Sequence, residues 1–184
     1  MPEGLKLDAP RLEDGAAIWR IARDSGTLDL NSSYSYLLWC RDFAATSVVA
    51  RGTDPGGPGA KSGGEPVGFI TGYVRPQRPR TLVVWQVAVD EAARGRGLAA
   101  AMLDGLALRV ARELGIDGLE TTVTPDNTPS NRLFTSFAQR HGAATEKEVL
   151  FDTGAFPEGG HAPEVLYRIG PVASLARAGS ALRA

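Results

Sequence analysis

The sequence predicts an α/β protein of the α+β type, a mixed sheet with helices on its faces. Three observations carry this. Strand-like and helix-like segments follow one another in the order β, α, α, three strands, α, β, α and two strands. From Arg96 to Leu114, apolar side chains at Leu98, Met102, Leu106, Val110 and Leu114, widened by Leu103, make one helical stripe. Val67 to Arg75 and Thr81 to Val89 read as an antiparallel pair, turned by the prolines of Pro76 to Arg80.

Each element has a local cause. Leu5 to Asp8 is a short strand. Asp14 is placed to cap a helix to about Asp24, with Ile18, Trp19 and Ile21 apolar and Gly26 as its stop. After the polar turn Thr27 to Ser33, a second helix spans Tyr34 to Phe43, capped by Ser32 or Ser33. Val48 and Val49 make Thr46 to Arg51 a strand. Gly52 to Pro66 holds six Gly and three Pro and reads as a flexible loop. Gly115 stops the long helix, and Gly118 to Thr124 is a strand. Pro125-Asp126-Asn127 opens a helix carrying Leu133, Phe134 and Phe137, and Gly142 ends it. Val149 to Asp152 and Val165 to Ile169 are closing strands. The expected organisation is one domain over residues 1–171, with an insert at 52–66 and a tail at 172–184.

Composition narrows the function. With 184 residues, 43% of them hydrophobic, the chain can bury a real core. Twenty Lys+Arg against 21 Asp+Glu leaves a net charge of -1, without the basic surplus of a nucleic-acid binder. One cysteine excludes an internal disulfide and a cysteine-based zinc cluster. Neither His has acidic or Cys neighbours at ligand spacing, so no metal is expected. The absence of an apolar leader or of a run near 20 apolar residues points to a soluble, cytoplasmic protein.

The run Val83 to Ala99, VVWQVAVDEAARGRGLA, carries the chemistry. A hydrophobic strand turns through Arg94-Gly95-Arg96-Gly97 into a helix N-terminus. Unpaired N–H groups, the positive end of the helix dipole, two glycines and two arginines together suit a pyrophosphate. A solvated tight turn remains the alternative. A Rossmann fingerprint fails at Ala100, and a P-loop fails at Pro55 and Ala60.

Arg94 to Ala99 resembles the Arg/Gln-x-x-Gly-x-Gly/Ala motif of the GNAT acetyltransferase superfamily. The helix opening at Asn127, with Ser130, Leu133 and Phe134, is similar to that family's second CoA motif. Within it, LDLNSSYSYLLWCRDFAATSVVA, VGFITGYVRP, TLVVWQVAVD, LETTVTPDN and YRIGP resemble the diaminobutyrate acetyltransferases of ectoine biosynthesis. The resemblance implies a mostly antiparallel sheet, acetyl-CoA as co-substrate, a homodimer, and transfer to the N4 amine of L-2,4-diaminobutyrate. It implies a cofactor site at Val87, Ala88, Val89, Arg94, Gly95, Arg96, Gly97, Leu98, Ala99, Asn127 and Phe134. Another small amine, or an acyl-CoA-binding regulatory module, stays open.

Such an acceptor asks for acceptors for ammonium, a donor for carboxylate and a route for a proton. Glu120, in a strand expected beside Trp85, is the candidate for proton handling. Asp29 is placed for an ammonium, Tyr34 for a hydroxyl contact, Trp85 for an apolar wall and His161 for the carboxylate or a proton. Solvent-face, helix-cap and core roles are the competing readings of these residues. Cys40, among Leu37, Leu38 and Phe43, reads as a buried inert thiol, which favours direct transfer in a ternary complex. The family often has a Tyr where Phe134 stands. The general acid is therefore open among Tyr36, Tyr73, Tyr167 and solvent.

Overall fold

The structure is a computed structural model that describes residues 4–52, 64–157 and 159–180. Seven strands and five α-helices run in this order. They are β1 Leu5–Asp8, α1 Gly15–Ser25, α2 Ser33–Asp42, β2 Val48–Gly52, β3 Pro66–Val74, β4 Thr81–Val89 and α3 Leu98–Leu114. Then come β5 Gly118–Val123, α4 Thr128–His141, β6 Thr145–Phe151, β7 Glu164–Ile169 and α5 Ala173–Ser180. The hydrogen-bonded strand order is β1-β2-β3-β4-β5-β7-β6. β4 and β5 pair in parallel, whereas β1/β2, β2/β3, β5/β7 and β6/β7 are antiparallel. The chain resolves into two compact units, Met1–Tyr73 with Gln86–Leu106, and Val74–Trp85 with Ala107–Ala184.

The first unit closes over Ile18, Ile21 and Ala22 of α1, Tyr36 and Cys40 of α2, Val49, Phe69 and Ala88. Tyr36 meets Phe69 edge-on with ring centroids 6.3 Å apart. Each large apolar side chain buried there contributes about 1.5–3 kcal/mol. Gly26 ends α1 at φ 64°, a left-handed turn that only glycine adopts cheaply. Asp14 occupies the cap position of α1 but does not cap it. Its carboxylate accepts from the Arg51 guanidinium at 2.8 and 2.5 Å, and from the Arg11 N–H at 2.6 Å. Arg51 is buried, and an uncompensated buried guanidinium costs more than an unmade cap.

In the second unit, Phe134, Phe137 and Ala138 of α4 are buried, as are Leu166, Tyr167 and Ile169 of β7. Three expectations are corrected there. Leu114 is exposed, because the chain turns at Gly115 (φ 74°) and Ile116 is the residue buried instead. β6 begins at Thr145, four residues before the expected start; its side chains are all exposed, so no alternation announces it. The stretch read as a tail forms α5, with Val172 and Leu175 buried and the Val172 N–H donating to Asp117 O at 2.7 Å. Residues 53–63 of the expected flexible insert lie outside the described residues.

The β4/β5 ladder is three pairs long, Thr81↔Gly118, Leu82↔Leu119 and Val83↔Glu120. β4 runs on to Val89 and β5 to Val123. At the end of the ladder the Thr121 hydroxyl donates to Val84 O at 3.1 Å.

Candidate active site

In the first unit, β4 leads through a short 3-10 turn, Glu91–Ala93, to the N-terminus of α3. The turn is held from behind. Arg20 of α1 donates to both oxygens of Asp90 at 3.0 and 3.1 Å, and the Asp90 N–H donates to Val67 O at 2.8 Å. Arg94 Nε donates back to Val89 O at 3.1 Å. Gly95 and Gly97 have φ of 75° and 72°, and a Cβ built on either meets nothing within 4 Å. They are glycines for conformation, and the space before them is open. The first α3 N–H that reaches a carbonyl is that of Ala101, on Gly97 O at 3.0 Å. The N–H groups of Leu98, Ala99 and Ala100 are therefore left for an anion at the positive end of a 17-residue helix. These residues fit a CoA pyrophosphate. Leu98 and Ala88 are themselves buried.

Asp29 and Tyr34 lie in the same unit. The Tyr36 hydroxyl donates to Gln86 Oε1 at 3.0 Å, and Gln86 Nε2 donates to Asp29 O at 2.9 Å. This buried relay fixes the loop carrying Asp29, whose side chain is exposed. Tyr34, in the first turn of α2, is 65% exposed. Gln86 gave no sequence signal, since a glutamine in a strand is ordinarily read as a solvent-face residue.

Glu120 lies in the second unit, its side chain only 4% exposed. Arg75 Nη1 donates to Oε2 at 2.8 Å and Arg78 Nη1 to Oε1 at 3.1 Å. Arg168 Nε stands 3.4 Å from Oε1, and its Nη2 donates to Glu148 at 2.6 Å. Of about four acceptor positions on a carboxylate, three face guanidiniums. The register pair Glu120↔Arg168 on β5 and β7 puts the two side chains together. Trp85, in the same unit, is 54% exposed, which removes the core reading of it. Sequence reasoning missed Arg75, Arg78 and Arg168; the Arg-rich turn Arg75 to Arg80 was the available signal.

Asn127 caps α4, accepting from the Ser130 N–H at 3.1 Å, and Phe134 is buried. Beside α4 lies a cavity of about 570 Å³ lined by Val123, Asn131, Arg132, Lys147 and Tyr167, among others. The Tyr167 hydroxyl accepts from Lys147 Nζ at 3.0 Å and donates to Asn131. His161 stacks on Phe156 with centroids 3.8 Å apart, and its Nδ1 is 2.6 Å from Ala162 O. Its Nε2 stands 4.0 Å from Glu164 of β7. Cys40 is buried, and loss of solvation is the main cause that pushes its thiol up to about 12, too high for a nucleophile at neutral pH. Among the described residues, no group of three or more His, Cys, Asp or Glu is placed to hold a metal ion. No helix among them is long and apolar enough to cross a membrane.

A helix N-terminus with an open glycine turn, fed by a strand whose parallel ladder stops short, defines an acyl-CoA-dependent transferase. The acetyltransferase (GNAT) family model matches residues 16–138, and the chain belongs to that family. More particularly, it is 69% identical to the L-2,4-diaminobutyric acid acetyltransferase of Streptomyces anulatus, over 94% of this chain and 93% of that one. It is 42% identical to the enzyme of the same name from Virgibacillus pantothenticus, over 89% and 96%. Among solved structures it resembles the diaminobutyrate acetyltransferase of Paenibacillus lautus in complex with L-2,4-diaminobutyric acid and coenzyme A. There the TM-score is 0.80 at 36% identity, covering 94% of this chain and 97% of that one.

Proposed function

We infer that this chain moves the acetyl group of acetyl-CoA to the N4 amine of L-2,4-diaminobutyrate, giving the N4-acetyl compound that leads to ectoine. The observation that carries this is the near full-length, 69% identity to an enzyme of that name. The open turn at Gly95 and Gly97 supports the CoA half of the reading.

In this reading Arg94, Gly95, Arg96, Gly97, Leu98 and Ala99 hold the pyrophosphate; Asn127 and Phe134 are assigned to CoA from the family's second CoA motif. Val87, Ala88 and Val89 offer main-chain groups to the pantetheine arm and the thioester carbonyl. Asp29 is assigned to an ammonium, Tyr34 to a hydroxyl contact, Trp85 to an apolar wall for the chain, and His161 to the carboxylate or a proton. Glu120 takes its proton, directly or through water, at the carboxylate position left by the three guanidiniums. The neutral amine attacks the carbonyl carbon, the carbon–sulfur bond breaks, and the thiolate leaves with a proton. The Tyr36 and Tyr167 hydroxyls both already donate, to Gln86 and to Asn131, so solvent is assigned that proton. The inert Cys40 argues for one direct step in a ternary complex.

We also place the enzyme in the cytoplasm, where acetyl-CoA is supplied, and as a homodimer. The outermost strand β6 exposes Val149, Leu150 and Phe151, an apolar edge that a second copy would cover. Sedimentation should give about twice the 19.4 kDa of one chain; a single-chain mass at micromolar concentration would overturn the dimer. The function is tested by release of CoA thiol across a panel of amines, with NMR of the product. Fast release with 2,4-diaminobutyrate and acetylation at N4 is expected. Release only with another amine would overturn the acceptor, and none with any amine would overturn the transferase.

A further inference from the structure

The β3–β4 turn reads Arg75-Pro76-Gln77-Arg78-Pro79-Arg80. Arg80 leaves the group, pairing with Asp117 at 2.5 Å. Arg75 and Arg78 instead reach Glu120, which Arg168 also faces. Glu148 is bonded to Arg168, and Glu146 is the register partner of Arg168 on β6. Arg168 is thus served by β6, and Arg75 and Arg78 share the single carboxylate of Glu120. A lone buried glutamate needs one arginine for neutrality, so the surplus asks for another explanation.

Exposure says where the surplus lies. Glu120 is 4% exposed, while the side chains of Arg75 and Arg78 are 41% and 54% exposed. Each gives one N–H to Glu120 out of five guanidinium donors. The remaining donors sit on the solvent side, held at a fixed spacing by a buried anion. Trp85 is exposed two residues beyond Val83, the register partner of Glu120. A planar donor pair of this kind matches the two oxygens of a carboxylate.

We propose that Arg75 and Arg78 form a clamp for the carboxylate of the amino-acid acceptor, with Glu120 as the buried counter-charge that holds the clamp open. Arg75 and Arg78 bind the substrate's anionic end, and Glu120 has a positioning part besides any proton it takes. The proposal rests on the reading that the acceptor is an amino acid such as diaminobutyrate.

The test compares L-2,4-diaminobutyrate with 1,3-diaminopropane, the same diamine without the carboxylate. Kinetics are measured on wild type, Arg75→Gln, Arg78→Gln and the control Arg80→Gln. Arg75→Gln and Arg78→Gln should raise KM for diaminobutyrate about tenfold or more, the loss of a charge-assisted pair. They should leave kcat/KM for diaminopropane within about twofold, and KM for acetyl-CoA unmoved. Arg80→Gln should behave as wild type. Equal losses on both amines would mean a structural role and overturn the clamp, as would unchanged KM for diaminobutyrate. Should Arg75→Gln fold poorly, the more exposed Arg78 carries the test. A wild type that ignores diaminobutyrate overturns the acceptor reading and the clamp with it. A wild type that uses it, with variants of unchanged preference, overturns the clamp alone.

Discussion

Glu120→Gln tests the residue proposed for the acceptor's proton apart from those proposed for CoA. The amide keeps the shape but loses the charge, and it turns an NH2 donor toward a guanidinium that is itself a donor. Three contacts are affected, at 2.8, 3.1 and 3.4 Å. A hydrogen bond to a charged group contributes about 1.5–3 kcal/mol in a buried setting. Here Arg75 and Arg78 are close to half exposed, so solvent screening brings the whole loss of stability to about 1–3 kcal/mol. For a chain of this length that lowers Tm by about 2–12 °C, and the fold should survive. Activity should suffer more: at least a tenfold fall in kcat, which is about 1.4 kcal/mol of transition-state stabilisation. The assay is thiol release at saturating acetyl-CoA, beside a calorimetric titration of CoA. CoA affinity should stay within about twofold, since the residues proposed for the pyrophosphate are 94–99 and their supports are Asp90, Arg20 and Val89. Wild-type turnover in a folded Glu120→Gln enzyme would remove Glu120 from the mechanism.

Two further predictions concern the first unit. Arg96→Ala should weaken CoA binding by about tenfold with little change in Tm, because it removes a cation beside open backbone donors; unchanged affinity in the same titration would sink its assignment. Asp14→Asn should destabilise by up to about 3–5 kcal/mol at pH 7 in urea unfolding, since buried Arg51 keeps only Asp8, 3.8 Å from its Nε, as a counter-charge. Burial alone would raise the Asp14 carboxyl, but the bonds from Arg51 and the Arg11 N–H outweigh it and hold it below its ordinary 3.8. A carboxyl lowered in the fold contributes stability that is full above its unfolded value and is lost as pH falls through the folded one. The gap between wild type and Asp14→Asn should therefore narrow as pH drops below about 3.8; a gap independent of pH would contradict the pairing.

How much of this was legible follows from what each residue's signal is. Periodicity reports burial, so α3 and α4 were readable from Leu98, Met102, Leu106 and Phe137, all buried. β6 has no buried face, and only its apolar end at Val149 to Phe151 stood out. The glycine turn was readable because Gly95 and Gly97 do what glycine alone does cheaply. Asp14 misled because its composition signal is that of a cap, while its partner Arg51 is 37 residues away. The same kind of separation hid the partners of Glu120. Glu120 was singled out, but its partners come from a turn about 42–45 residues earlier and a strand 48 residues later, in register only once β5 and β7 pair. Gln86 is likewise defined by Tyr36 and Asp29, 50 and 57 residues off. Charge pairing has no period, and a single sequence does not display it.

The clamp also bears on which nitrogen is acetylated. Diaminobutyrate carries two amines, one on the carbon that bears the carboxylate and one two carbons further along. A thioester attacked by a neutral amine does not by itself distinguish them. Anchoring the carboxylate does, because the near amine is then held beside Arg75 and Arg78, while the far amine is free to extend. Glu120 keeps the two guanidiniums from swinging after the substrate, and a proton from the far amine then reaches it through water. Regiochemistry would then be set by distance from the clamp. Arg78→Gln should accordingly yield a measurable share of N2-acetyl product alongside the N4 compound, read by NMR of the product mixture. Exclusive N4 acetylation by a variant that has lost its affinity for the carboxylate would show that the selection is made elsewhere.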